Sequence, residues 1–208
     1  MAQHYRHTLF DDAVKALQEQ HGSRASYLKL DAGADGTPDY LTAKELAFIA
    51  LRDSFYMASV NGDGWPYMQH RGGPAGFLRH IEGNRLGFAD FRGNKQYIST
   101  ANLAGNDRVS LFLMDYPNKD RLKLVGHARS IELADDPALV TSLMPEGYRA
   151  VPERAFLIDV IGWEWNCSQH ITARFTEAEI SAAIQPMAAE LNQLRAENAA
   201  LHAQLCGD

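Results

Sequence analysis

Two short runs carry residue types suited to holding an anion. In PYMQHRGGPAGFL, residues 66–78, Gln69, His70 and Arg71 stand directly before Gly72, Gly73 and Pro74. Strand alternation puts Tyr67, Gln69 and Arg71 on one face and Met68, His70 and Gly72 on the other, so one face ends in a guanidinium. Consecutive glycines let something flat approach the backbone amides. A bulge or bend that closes a sheet accounts for the same glycines equally well. In FADFRGNKQYISTANL, a strand runs into Gly93, Asn94 and Lys95 and then into a helix expected to begin near Asn94. Such a helix start offers free N–H groups and a favourable dipole to a phosphate. Arg71 as a planar fork and Lys95 as a point charge would hold that phosphate from two sides, provided the two runs converge in space.

The elements that must bring them together are legible in outline. Residues 1–52 read as a helical segment packing on the strand-rich remainder: FDDAVKALQEQHG places Phe10, Val14 and Leu17 on one face and Gly22 stops it. A further helix opens at Thr42, where TAKE has the form of a capping box, and DAGADGTPDY between the two helices is loop material. Residues 53–175 are rich in strands. The runs FYMASV, PYMQHR, FLRHI, RLGFADF, VSLFLMDY, RLKLVGHARSIEL and RAFLIDVIGWEW are separated by turn signals at all-β spacing, with hairpins at NGDG (61–64) and EGN (82–84). Short helices are expected at 94–104 and 136–144. Residues 176–208 form a third part, a C-terminal helix opened by the capping box TEAE.

That last helix has a seam. Ile184, Met187, Leu191, Leu194, Asn198, Leu201 and Leu205 alternate by three and four. With Ile184 at heptad position a, Asn198 also falls at a, Glu190 and Glu197 at g, and Arg195 and His202 at e. A stripe this narrow suits another helix better than a sheet, although an amphipathic helix lying on its own barrel would use the same residues. The expectation is a homodimer with paired C-terminal helices; Pro186, at c, lies outside the seam and marks a kink or a restart.

Composition bounds the function classes. The 208 residues are 46% hydrophobic and 22% charged, with a formal net charge of -6, which argues against a general nucleic-acid binder and makes any anion site local. No run approaches a membrane span, and the opening residues lack the apolar core of a secretory signal, so a cytoplasmic location is expected. Cys167 and Cys206 fit no metal spacing and read as two reduced thiols.

The run from Asp63 to Tyr116, DGWPYMQHRGGPAGFLRHIEGNRLGFADFRGNKQYISTANLAGNDRVSLFLMDY, resembles the flavin-binding split-barrel family related to pyridoxamine 5'-phosphate oxidase. The later WEWNCSQHITARF is similar to the closing motif of one of its subgroups. The resemblance spans roughly residues 40–175 and lies in the order of segments. It implies a mainly β (α+β) fold, a six-stranded antiparallel split barrel with flanking helices, and an obligate homodimer holding FMN in clefts between subunits. It also implies that Arg71, Gly72 and Gly73 run along the flavin and its phosphate, and that Phe88, Ala89 and Asp90 touch ribityl and ring atoms. Asn94 and Lys95 match a basic pair at the phosphate, with Asn94 in place of the family's arginine. Trp165 (or Trp163) with Arg174 matches a pair reaching the flavin from the partner chain. Gln69, His70, Gln169 and His170 are candidate hydrogen-bonding groups for flavin or substrate, with no catalytic acid or base assigned.

The sequence departs from the oxidase pattern on the substrate side. Pro74, Ala75 and Gly76 follow where the oxidase has a lysine for the substrate phosphate, and Arg174 has no histidine after it. Three readings stay open: an FMN-dependent oxidoreductase on a small or planar molecule, a non-catalytic flavin carrier or sensor, and a split barrel holding haem or a deazaflavin. For haem, His70, His80, His127 and His170 are the available ligands.

Overall fold

The computed structural model describes residues 3–31, 36–165 and 169–206; Cys167 and residues 32–35 of the expected loop lie outside them. Four helices come first: α1 (His4–Leu9), α2 (Asp12–Gln20), α3 (Arg24–Asp31) and α4 (Ala43–Ala50). Strands β1 (Ser54–Val60), β2 (Pro66–Gly72), β3 (Arg79–Glu82) and β4 (Arg85–Phe91) come next, then α5 (Ile98–Gly105). The chain continues through β5 (Arg108–Asp115), β6 (Asp120–Glu132), α6 (Pro137–Ser142), β7 (Pro152–Trp165) and α7 (Glu177–Leu205).

The strands form one antiparallel sheet in the order β2-β1-β5-β6-β7-β4-β3. This is seven strands, one more than the family resemblance implies, and corrects that expectation. β3 is a short strand hairpinned onto β4 with a register shift between His80 and Glu82. The run FLRHI is strand only from Arg79 onward. Phe77 and Leu78 instead leave the Gly72–Gly76 turn as buried loop residues, 2% and 1% exposed, because their side chains fill the core.

Ring contacts show how the sheet closes. β1 and β4 are separated by three strands in the sheet order, yet the Phe55 and Phe88 rings lie 5.4 Å apart, edge to face. Phe88 also stacks on Phe156 at 5.2 Å. The sheet must therefore curl until β1 and β4 face each other across one core, while β2 and β3 pair with no second neighbour among the described residues. Met57, Leu111, Leu113, Leu122, Leu124 and Ile158 fill that core, all fully buried. Each such side chain contributes about 1.5–3 kcal/mol through removal from water.

Side-chain caps set the helix starts, and the capping box expected at Thr42 forms. Asp11 caps α2 by accepting the Val14 N–H. At α4, Thr42 and Glu45 form the capping box: the Thr42 hydroxyl accepts the Lys44 N–H at 3.3 Å and the Glu45 carboxylate accepts the Thr42 N–H at 3.0 Å. α1 lies directly on β7, where a Cβ at Gly162 would come within 2.7 Å of the Tyr5 backbone.

Two compact units result. The larger holds the residues to Asp115 and Asp120–Gln169, with the whole sheet. The smaller consists of Tyr116–Lys119 and the residues from His170, dominated by α7, which runs unbroken through Pro186 and contains no buried residue. Among the described residues, no helix is long and apolar enough to cross a membrane.

Candidate functional site

β2 behaves as its alternation predicts. Tyr67, Gln69 and Arg71 are half-buried, while Met68, His70 and Gly72 are exposed. Arg71 ends the inward face, and the curl of the sheet brings it to β4 on the far side. There Arg71 Nη1 donates to Asp90 Oδ1 at 2.6 Å, and its guanidinium lies 4.8 Å from the Phe156 ring centroid. The backbone register of β4 and β7 sets Arg154 opposite Asp90, and Arg154 Nη1 donates to Asp90 Oδ2 at 2.9 Å. Asp90 is therefore held between two arginines. Arg154 in turn reaches Glu132 at 2.8 Å and lies 5.0 Å from the Tyr97 ring centroid.

These charges are mostly withdrawn from water, which the ionisation equilibria register. Burial pushes the Arg71 guanidinium below the usual arginine value, and the Asp90 charge only partly offsets it. Burial acts on Arg154 in the same sense, but its bonds to Glu132 and Asp90 win and raise it.

The second run arrives at the same hollow by a strained path. The helix expected near Asn94 starts four residues later, at Ile98, which corrects that boundary. Asn94 accepts the Gln96 N–H with its side chain, and Lys95 and Tyr97 adopt left-handed backbone conformations, φ 58° and 53°, that an α-helix excludes. Tyr97, the residue before the helix, provides no side-chain cap. The first turn of α5 thus presents uncapped N–H groups.

Arg71 and Lys95 share one cavity of about 330 Å³, at the lower end of the range for small-molecule sites. Its wall includes Gln69, His70, Arg71, Gly72, Phe88, Ala89, Asp90, Asn94 and Lys95, nine of the residues singled out from sequence. Three cations, Arg71, Lys95 and Arg154, and two carboxylates, Asp90 and Glu153, line it, so the local charge is positive on a chain of net charge -6. Two buried polar atoms on this wall have no partner among the described residues: Arg71 Nε and the Ser99 hydroxyl. Ser99 is 4% exposed and sits in the first turn of α5. An unmet donor beside an uncapped helix start is the arrangement that a phosphate completes, since its oxygens accept from both.

Other predicted residues lie elsewhere. Gly73 does not line the cavity; its N–H donates to the Asp53 carbonyl at 2.9 Å, and a Cβ there would meet the Phe77 ring at 2.9 Å. Its lack of a side chain serves the bend against Phe77. Trp165 donates its indole N–H to Glu45 at 2.7 Å and packs edge-on to Phe48, away from the cavity of its own chain. Gln169 is exposed, and Arg174, in the smaller unit, lies 4.9 Å from the Tyr116 ring centroid. Of the histidines weighed as haem ligands, His80 contacts the Gly83 carbonyl and His127 contacts Asp107. His70 borders the cavity, but its ring turns outward against Tyr56.

Sequence reasoning missed Tyr67, Tyr97, Ser99, Glu153 and Arg154 as lining residues. The Ser-Thr pair in QYIST was a usable signal for a helix start. Nothing local marks Arg154, which enters only through the register of β7 against β4.

Residues 41–164, more than half of the chain, match the pyridoxamine 5'-phosphate oxidase family. The chain belongs to that family. Among solved structures, HupZ of Group A Streptococcus shares the fold: it aligns with 65% of this chain and 100% of its own, at 13% identity and a TM-score of 0.50. A putative pyridoxamine 5'-phosphate oxidase from Lactobacillus delbrueckii aligns over 60% and 93%, at 18% identity and 0.45. An FMN-binding protein from Syntrophomonas wolfei aligns over 72% and 97%, at 12% identity and 0.44. No curated protein matches the sequence.

Proposed function

We propose that the cavity holds the phosphate end of FMN and that the protein is a flavin-dependent oxidoreductase acting on a small or planar substrate. The observation that carries this reading is the meeting of Arg71, Lys95 and the uncapped start of α5 around one hollow, with Arg71 Nε and the Ser99 hydroxyl unsatisfied on its wall. Family membership supports the same cofactor. In this reading Lys95 and the α5 amides receive the phosphate, and Ser99 donates to one of its oxygens. Arg71, already paired with Asp90, donates through its remaining N–H groups. Phe88 and Ala89 of β4 line the path towards the ring, and the Tyr67–Gln69 pair provides hydrogen bonds on β2. Bound FMN would supply the electron-transfer chemistry. The chain's share is to bind, orient and exclude water.

A homodimer belongs to this proposal. β2 is an edge strand, and around it Trp65 and Met68 are 73% and 64% exposed, an apolar surface suited to a second copy. Gln169 and Arg174 are proposed as contacts made across that interface. Trp165 is the weakest of this group, because its indole N–H is committed to Glu45.

The test is an absorption spectrum of the purified protein after addition of FMN and gel filtration. Retained twin flavin bands are the expected result, and loss of all FMN on the column would remove the reading. Bleaching by NADH or NADPH, followed by reoxidation with a candidate acceptor, separates enzyme from carrier.

A further inference from the structure

α7 is a 29-residue helix, about 43 Å long, and none of its residues is buried. Free helices of this length do not usually display a continuous apolar stripe to water. Ile180, Ile184, Met187, Leu191, Leu194, Leu201 and Leu205 are each between 47% and 79% exposed. Helix propensity alone explains the opposite face. The f positions of the heptad are all alanine, Ala182, Ala189, Ala196 and Ala203, the best helix former. Propensity does not explain an apolar stripe confined to a and d.

We infer that α7 pairs with α7 of a second copy as a parallel, in-register, two-stranded coiled coil. This extends the dimer proposed above but does not depend on FMN. Three features select this occupant. The seam is narrow, two apolar positions per heptad, which a partner helix covers and a broad sheet face does not. Asn198 is the single polar residue at an a position between Ile184 and Leu205. In a parallel pair it meets its own copy and the two amides hydrogen-bond, whereas a shifted or reversed pair would bury it against leucine. The flanking charges agree: Glu190 at g faces Arg195 at the next e of the partner, and Glu197 faces His202. Pro186 interferes with none of this, since at c it points away from the seam.

The full-length protein tests the geometry through a single cysteine. In a Cys167→Ser, Cys206→Ser background, Leu205→Cys puts a thiol at the last a position and Ala203→Cys puts one at f. Parallel pairing brings the two copies of residue 205 within disulfide range, below about 7 Å between Cα atoms, and holds the two copies of 203 apart. Mild oxidation at micromolar protein should therefore give a covalent dimer from Leu205→Cys at least tenfold faster than from Ala203→Cys. Equal rates would overturn the inference, as would a reversed pair or a helix folded onto its own chain, both of which leave 205 far from its copy. If the cysteine background fails to fold, Asn198→Leu in the native sequence is the second variant. Loss of a single dimeric species in sedimentation is expected, and an unchanged distribution contradicts the pairing. Neither readout involves flavin, so either can fail while the cofactor reading stands.

Discussion

Ser99 and Asp90 show how single residues divide the work at the cavity. The Ser99 hydroxyl is buried and unpartnered, so removing it leaves no unmet group behind. Ser99→Ala is expected to keep or slightly raise the thermal midpoint while weakening FMN binding several-fold; a drop in stability with unchanged FMN affinity would make Ser99 purely structural. Asp90 has the reverse character. It neutralises two mostly buried arginines, with side-chain exposures of 14% for Arg71 and 8% for Arg154. Asp90→Ala leaves the mostly buried Arg71 charge without its carboxylate and Arg154 with only Glu132 and Glu153, and should cost about 3–5 kcal/mol in urea unfolding. Of these residues, Arg71 and Lys95 were legible in sequence because their neighbours, a glycine pair and a strand-to-helix junction, announce special backbone. Arg154 was not. Its role depends on which residue of β4 it faces, a tertiary fact absent from the local pattern.

At the scale of elements, the α4 capping box also braces the end of β7. Glu45 accepts from the Thr42 N–H and from the Trp165 indole. Burial pushes its carboxyl up, but those hydrogen bonds outweigh burial and hold it below the usual carboxylate range. A carboxyl lowered on folding stabilises the protein above its unfolded value, near pH 4, and that contribution disappears as pH falls through the lower folded value. Glu45→Gln should therefore cost about 1–2 kcal/mol at pH 7, with the gap from wild type narrowing in denaturant titrations below pH 4. A gap constant with pH would mean that the charge plays no part. The strands were legible because period-2 alternation and hairpin turns are local. The start of α5 reads four residues too early because the left-handed Lys95 and Tyr97 lack the glycine or proline that usually flags such backbone. β3 reads too long from sequence because a buried loop residue such as Phe77 is indistinguishable from a strand residue by composition.

For the whole molecule, the division into two units makes α7 separable from the barrel. Ending the chain after Phe175 removes no buried side chain of the sheet and should leave its fold intact, while raising the dimer dissociation constant in sedimentation equilibrium. An unchanged constant would remove α7 from the interface. The central claim concerns the phosphate. Lys95 is exposed and, among the described residues, forms no ion pair, so its removal leaves the fold alone. The most direct measurement is FMN titration, followed by flavin fluorescence, of wild type, Lys95→Ala and the Arg71→Ala, Lys95→Ala double variant. Each lost charge-assisted bond of about 1.5–3 kcal/mol should raise Kd roughly tenfold or more. An unchanged Kd in the folded double variant would contradict the account.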